Sequence, residues 1–439
     1  MNEPDELLDH GEPQPLASPL RKKRRWIKRL LWAIAILLML LIIAFVSFRY
    51  LTAKPNNPAE LLAQTIAIDA NTTDNYWMQQ RATGLTILGR DDLVRKMDLN
   101  SSFQPLPLET NGLQINLEFT DWRTSMAKIA ADNRVVVIME DHLLTETREL
   151  IDESLDLFKD AGFKHYAAEA IGELEFLLRW RGHANHQTGV YTADPRFGNL
   201  IRTAFDLDFS VSGYDFGPLD HNTRENYAAS TLSKIVLADS NNRLLVHAGP
   251  GHLNKYETDS GDRWMAMRLW EKTNIEPATI WQMSDQIGEV EYQWFAAKIK
   301  KQLDADGSEF NRPVAWTPTP EQMQQLRAAQ FTIPIVDMIV IHPPTKSLGP
   351  NSRVRISSRN KKELNGTWSQ SVWPVVVCAF RKSDANSAIP LDQVMLLNGE
   401  SDFKLWIPNS ESDFEIRVFD TERQLESKCE VTVGPTDSE

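Results

Sequence analysis

The chain has 439 residues, enough for two or three domains, and 42% of them are hydrophobic, which is enough to build sizeable cores. Its formal net charge of -13 argues against a nucleic-acid partner. The charge is uneven, because residues 1–50 hold 8 Lys or Arg against 5 Asp or Glu and the acidic excess lies in the remainder. We therefore expect an acidic, soluble body and a local basic signal near the amino terminus.

The amino terminus has the pattern of a membrane anchor. Residues 1–29 are predicted to be a disordered cytoplasmic tail that ends in a cluster of Lys and Arg. Residues 30–50 are predicted to be a transmembrane anchor, since residues 30–48 are uncharged and nearly match a hydrocarbon core of about 30 Å. We favour an uncleaved anchor over a signal peptide, because the apolar run exceeds a typical h-region and no small-x-small cleavage site follows. The positive-inside rule then places the main body on the periplasmic side of a bacterial inner membrane.

Residues 121–350 alternate between helical and strand patterns, which predicts an α/β domain with a mainly parallel sheet flanked by helices. Residues 51–120 are assigned as a stalk and an N-terminal extension of this domain. The clearest strand is 135–138, where four consecutive β-branched residues indicate burial on both faces. The other elements predicted from periodicity are strands at 166–170, 209–215, 243–249 and 333–342, and helices at 122–131, 145–161, 197–205 and 222–238.

Acidic residues and histidines stand where these strands end. Glu140 and His142 follow the first strand, Glu169 ends the second, and His252 lies in a Gly-Pro-Gly turn after the fourth. Parallel strands bring their carboxyl ends to one edge of a sheet, where ligand crevices form. We therefore expect these four side chains, together with Asp215 at the end of the third strand, to gather at one site.

Other polar residues near the strand ends have structural or functional interpretations. Asp141 is interpreted as a helix N-cap or a solvated charge, and His247, inside a strand, as a hydrogen-bonded core histidine. Arg148 and Arg224 either clamp an anionic substrate or pair with the site glutamates. Tyr214 ends the third strand and is a candidate for substrate binding.

The order of these motifs resembles a known superfamily. Glu140-Asp-His142 after a hydrophobic strand, Arg148 in the next helix, Glu169, and Gly249-Pro-Gly-His252 resemble the ChaN-like, Tiki/TraB and erythromycin-esterase superfamily, over roughly residues 120–345. The members of that group include hydrolases that open macrolide esters, metal-dependent membrane-anchored proteases and a haem-binding lipoprotein. The resemblance implies an α/β domain that supports several chemistries and does not select one.

The residues leave two hydrolytic arrangements open. In the first, His142 takes a proton from water while Glu140 and Glu169 orient it. In the second, His142 and His252 hold zinc or another divalent ion that activates water, together with either Glu140 or Glu169. Either way we expect a hydrolase that acts on an ester or peptide bond in a small molecule or peptide. The alternative is a non-catalytic protein that binds haem or another small ligand on the same fold, with Tyr191 or Tyr214 available as an axial ligand.

Residues 355–439 change in character. Short strands are predicted at 375–380, 393–397, 403–407, 414–419 and 429–433, and their spacing is typical of a small β-sandwich. This segment contains no histidine, so it is interpreted as an accessory module that binds an envelope partner. Its strands carry Cys378 and Cys429, and an oxidising compartment would allow them to form a disulfide.

Overall fold

The computed structural model describes residues 19–51, 58–97, 107–110, 113, 115–215, 220–258, 260–285, 289–345, 361–384, 387–425 and 429–433. Two compact units make up the chain, Met1–Lys54 and Pro55–Glu439. Most of the predicted cytoplasmic tail, residues 1–18, and most of the predicted stalk, residues 52–57, lie outside the described residues.

The first unit contains one long helix, α1 (Pro19–Leu51). Its segment Trp26–Phe45 is long and apolar enough to cross a membrane or to serve as a signal sequence. The helix begins before the predicted anchor at residue 30, because Arg and Lys in the basic cluster are good helix formers. A long apolar amino-terminal helix is therefore confirmed.

The second unit begins with helices and continues into an α/β body. Its helices are α2 (Pro58–Ala67), α3 (Asn75–Ile87), α4 (Asp91–Val94), α5 (Trp122–Asp132), α6 (Thr145–Asp160), α7 (Glu175–Arg181), α8 (Pro195–Asp206), α9 (His221–Leu237), α10 (Met265–Thr273), α11 (Glu289–Asp306) and α12 (Pro320–Ala328), with 3-10 turns at Tyr191–Ala193 and Pro250–Leu253. Its large sheet is built from β1 (Thr120–Asp121), β2 (Val135–Met139), β3 (His165–Ala168), β4 (Ser210–Gly213), β5 (Leu244–Ala248), β6 (Ala278–Met283), β7 (Val314–Trp316) and β8 (Met338–Ile341).

The sheet has the strand order β1-β7-β8-β6-β2-β5-β3-β4. The six strands from β8 to β4 are parallel, and β7 and β1 extend one edge antiparallel. The predicted mainly parallel sheet is therefore confirmed, whereas β6 and the two antiparallel strands were not predicted. The central strand β2 is buried along its whole length, as its β-branched run indicates.

Side chains of β2 alternate between two hydrophobic cores, one on each face of the sheet. Val136 and Ile138 belong to the core that includes α5, α6 and α8. Val135 and Val137 belong to the core that includes α9, α10 and α11. Both faces of the sheet are covered, so the polar residues after β2 reach solvent only at the carboxyl edge.

The carboxy-terminal residues form two antiparallel sheets. Their strands are β9 (Lys361–Thr367), β10 (Val375–Arg381), β11 (Asp392–Leu396), β12 (Asp402–Pro408), β13 (Phe414–Phe419), β14 (Gln424–Leu425) and β15 (Glu430–Val433). The strand orders are β11-β10-β13-β14 and β12-β9-β15. The five predicted strands are present, and β9 and β14 were not predicted. Side chains from both sheets meet in one hydrophobic cluster.

The predicted disulfide is wrong in this structure, where Cys378 and Cys429 are thiols. Side chains alternate along β10, so Cys378 points with Val376 into a cluster shared with the helices α2 and α3. Cys429 packs against the cluster between the two carboxy-terminal sheets, on the other side of β10. An apolar strand with two buried faces does not reveal which face meets which partner, and this ambiguity produced the error.

Candidate active site

The strand ends that carry the predicted site residues lie next to one another. β5 lies between β2 and β3, and β4 lies beyond β3. The amide of Glu140 donates to the carbonyl of Ala248 over 2.8 Å, and the amide of Glu169 donates to the carbonyl of His247 over 3.1 Å. Glu140 and Glu169 therefore flank the end of β5, from which the chain continues into the turn that carries His252.

Glu140 is 2% exposed and is surrounded by nitrogen atoms. Its Oε1 lies 2.6 Å from Nδ1 of His142, and its Oε2 lies 2.6 Å from Nε of Arg148 and 2.9 Å from Nε2 of His247. Burial alone would raise the pKa of Glu140, but the charge of Arg148 and the contacts with His247 and His142 outweigh burial and hold the pKa well below its usual value. Glu140 is therefore a buried anion.

His142 is held in one orientation and remains partly accessible. Its side chain is 26% exposed, and its ring stacks on Tyr191 with centroids 4.0 Å apart and an interplanar angle of 12°. Since the anionic Glu140 accepts a proton from Nδ1, the neutral ring keeps its lone pair on Nε2. Burial alone would lower the pKa of His142, but the hydrogen bond to Glu140 and the charges of Glu140 and Glu169 raise it above its ordinary value.

A second group of charges lies beside the first. Glu169 accepts from the amide of Gly249 over 2.7 Å and from Nη2 of Arg224 over 2.6 Å, and it lies 3.2 Å from Nε2 of His252. The other ring nitrogen of His252 lies 2.8 Å from Oε2 of Glu225. Burial opposes both charges, but mutual attraction holds the pKa of Glu169 well below its usual range and raises that of His252 to about 10. His252 is therefore an imidazolium at neutral pH.

The two groups meet at Gly249. A Cβ at this position would lie 3.1 Å from Oε2 of Glu169 and 3.3 Å from Nε2 of His142. The absence of a side chain lets the free nitrogen of His142 face the second group across the glycine. Close approach, not a left-handed backbone, explains this glycine, because its φ is -66°.

Both arginines pair with carboxylates. Arg148 is buried and binds both Glu140 and, over 2.7 Å, Asp194, so it does not reach solvent. Arg224 binds Asp215 over 2.6–3.0 Å and keeps its side chain 33% exposed. Tyr214 is 1% exposed and donates to a backbone carbonyl of β5 over 3.1 Å, so the expectation that it contacts substrate is not met.

The two structural interpretations have different outcomes. Asp141 is not a helix N-cap, because Leu144 occupies that position, and its carboxylate instead accepts from the amide of Leu143 over 2.8 Å in a local turn. His247 is a hydrogen-bonded core histidine, as predicted, with Nδ1 2.6 Å from the hydroxyl of Tyr166.

The donor set fits a metal ion poorly. Within the part of the chain that the structure describes, no group of three or more His, Cys, Asp or Glu residues could hold a metal ion. Both ring nitrogens of His252 already lie against carboxylates, Nε2 against Glu169 and Nδ1 against Glu225. Nδ1 of His142 is likewise occupied by Glu140. The geometry therefore favours acid-base chemistry by side chains.

Sequence reasoning did not select three residues of this site. Asp194 and Glu225 are fully buried carboxylates that balance Arg148 and His252. Tyr191, considered above only as a haem ligand, covers one face of the His142 ring. A charged residue on the inward face of a helix is a usable signal, because a buried carboxylate is costly without a partner.

No family model and no curated protein matches this chain. Among solved structures, it is similar to the type III effector HopBA1, with 15% identity over 53% of this chain and 98% of that chain and a TM-score of 0.32. It is also similar to the C-terminal region of Pasteurella multocida toxin, with 12% identity over 47% of this chain and 30% of that chain and a TM-score of 0.26. RRSP, a MARTX toxin effector domain from Vibrio vulnificus, shares 11% identity over 50% of this chain and 51% of that chain, with a TM-score of 0.26. These likenesses are too weak to carry an argument about function.

Proposed function

We propose that this chain is a membrane-anchored extracytoplasmic hydrolase of ester or peptide bonds, in which Nε2 of His142 is the general base. The observation that supports this proposal is the contact of 2.6 Å between Nδ1 of His142 and the buried anion Glu140. That contact holds the ring in one tautomer and leaves Nε2 free beside Gly249. A carboxylate that orients a partly exposed imidazole is the arrangement that abstracts a proton from water.

The hydrolytic step follows from these positions. Nε2 of His142 takes a proton from water, and the water oxygen bonds to the carbonyl carbon of the substrate. The carbonyl electron pair moves to oxygen, and the partly exposed side chain of Arg224 supplies the cation that stabilises that negative charge. When the tetrahedral intermediate collapses, the leaving alkoxide or amine takes the proton from Nε2. Glu140 stabilises the imidazolium that exists between these two transfers.

The second group of charges keeps the site polarised. Glu169 fixes Arg224 over 2.6 Å, and Glu225 keeps His252 protonated beside it. These charges are arranged before substrate arrives, so the site needs little reorganisation during reaction. The roles of Glu140, His142, Glu169 and His252 also agree with the superfamily resemblance in the sequence.

Cellular placement and the carboxy-terminal region belong to the same proposal. The helix segment Trp26–Phe45 would anchor the chain with its amino terminus in the cytoplasm. The two carboxy-terminal sheets, which share one hydrophobic cluster, would form a β-sandwich that binds an envelope partner. No described contact favours the alternative of a haem protein, since Tyr214 is buried and Tyr191 is stacked on His142.

The full chain in lipid nanodiscs provides the test. We expect turnover in a panel of ester and peptide substrates, loss of turnover in His142→Gln, and normal turnover in the matched control His165→Gln at the opposite end of β3. We also expect a chelator to leave the rate unchanged and the purified protein to lack a Soret band. Equal rates for the wild type and His142→Gln would refute the assignment of the base.

A further inference from the structure

His247 lies directly behind Glu140 in the buried centre of the sheet. Its Nδ1 is 2.6 Å from the hydroxyl of Tyr166, and its Nε2 is 2.9 Å from Oε2 of Glu140. The ring stacks on Phe197 with centroids 4.9 Å apart and an interplanar angle of 13°. The side chains of Tyr166, His247 and Glu140 are at most 2% exposed, so they form a row shielded from bulk water.

Glu140 and Tyr166 together determine which nitrogen of His247 carries the proton. Nε2 lies 2.9 Å from a carboxylate oxygen of Glu140, so in a neutral ring the proton is on Nε2. Nδ1 then holds the lone pair and accepts from the hydroxyl of Tyr166 over 2.6 Å. The opposite tautomer would place a lone pair 2.9 Å from a carboxylate oxygen, and the two would repel each other.

The two oxygens of the Glu140 carboxylate have different partners, and this fixes the orientation of the carboxylate. Oε2 faces both Arg148 and His247, whereas Oε1 faces His142 alone. The approach of His247 departs from a straight hydrogen bond, so its contribution is chiefly electrostatic. The guanidinium of Arg148 from α6 and the imidazole of His247 from β5 both approach Oε2, which restricts rotation of the carboxylate and keeps Oε1 directed at His142.

We propose that Tyr166 and His247 are positioning residues, which set the orientation and tautomer of the general base His142 through Glu140 without touching substrate. This inference rests on the proposed hydrolytic function. It differs from a purely structural role for a core histidine, because it predicts an effect on the chemical step when the fold is unchanged.

Three variants in the full chain distinguish a positioning role from a purely structural one. We expect Tyr166→Phe to lower kcat about 10-fold and His247→Leu about 100-fold, with KM nearly unchanged, since an unmade buried polar contact has effects of this order. His247→Gln should recover most of the loss, because its amide N–H can point at Oε2 of Glu140. The matched control is Tyr292→Phe, which removes another buried hydroxyl away from Glu140. That hydroxyl donates to the carbonyl of His342, directly after β8, over 3.1 Å.

Equal kcat values for Tyr166→Phe and Tyr292→Phe would overturn the inference, as would equal losses in His247→Leu and His247→Gln. A second measurement does not depend on turnover. Nitrogen-15 spectra of labelled histidine, recorded well above the pKa of His142 and assigned with His142→Gln, should show His142 protonated only on Nδ1 in the wild type and on either nitrogen in His247→Leu. If the wild type has no turnover, the proposed function fails. Identical His142 signals in the two proteins would overturn the positioning role alone.

Discussion

Oε2 of Glu169 and Nε2 of His142 approach the same point above Gly249, at 3.1 and 3.3 Å from where its Cβ would lie. One atom belongs to a carboxylate held by Arg224 and His252, and the other is the free nitrogen of the proposed base. The two halves of the site are therefore not independent, since the charge of Glu169 helps to raise the pKa of His142. A single glycine allows this coupling.

Gly249→Ala is expected to reduce kcat/KM about 10- to 100-fold, because the added methyl group would displace either the base or Glu169 and a small misplacement is costly for catalysis. Thermal unfolding should show that the variant still folds, since the two atoms that the methyl group meets at 3.1 and 3.3 Å belong to side chains and not to the backbone. Steady-state kinetics with thermal unfolding checks this. The matched control is Gly172→Ala, where the new methyl would find its nearest atom at 3.9 Å. Equal activity of the two variants would contradict the argument.

Glu140→Gln is expected to lower kcat/KM about 10²- to 10⁴-fold, because the amide no longer selects the tautomer of His142 or stabilises its cation. The pH profile should move as well. The base acts when deprotonated, and Glu140 raises the pKa of His142, so the acid limb of the wild-type profile lies above pH 6.5. Without that carboxylate the limb should shift to lower pH. The exposed Glu118→Gln is the control, and its acid limb should stay in place. An unshifted acid limb in Glu140→Gln would count against the pairing of Glu140 with His142.

The sequence predicted which strand ends meet, because an apolar run with a polar end is a local signal. The run before Glu140 and the Gly-Pro-Gly turn before His252 both lie where they were expected, at one edge of a parallel sheet. The strand β6, by contrast, contains the polar residues Thr279 and Gln282, and their burial depends on neighbours far along the chain. Partners of that kind are set by tertiary packing.

The same limit explains the residues that were missed or misassigned. Glu225 and Asp194 are buried only because His252 and Arg148 reach them from other elements. Tyr214 follows a strand but turns inward, and one step along a strand decides whether a side chain faces the core or the ligand. Local patterns therefore identify the edge of the sheet at which the site lies, while the charge pairs within it require the folded structure.

His252 should make stability depend on pH in the alkaline range. Its pKa is raised from 6.5 to about 10 when folded, so its contribution is complete below pH 6.5 and is lost as pH rises towards 10. The loss is on the order of several kcal/mol at about 1.4 kcal/mol per pKa unit. Glu225→Gln should flatten this slope, because Glu225 is one of the two carboxylates that raise the pKa. Denaturant unfolding between pH 6 and 10 measures how the free energy of unfolding depends on pH. If Glu225→Gln has the same slope as the control His165→Gln, the role given to Glu225 is contradicted.

Ionised Glu146 should destabilise the fold, although it lies beside an arginine. It is 1% exposed, its Oε1 lies 2.7 Å from Nη2 of Arg95, and burial raises its pKa to about 7 despite that arginine. The folded state therefore holds a proton between pH 4.5 and 7 that the unfolded state releases, so stability falls as pH rises through this window.

Glu146→Gln imitates the protonated form at every pH. We expect it to stabilise the fold by about 1–3 kcal/mol at pH 8 and by nothing at pH 4. Urea unfolding at both values decides the matter, with the exposed Glu309→Gln as control. A loss of stability at pH 8 would show that the attraction of Arg95 exceeds the cost of burying the carboxylate.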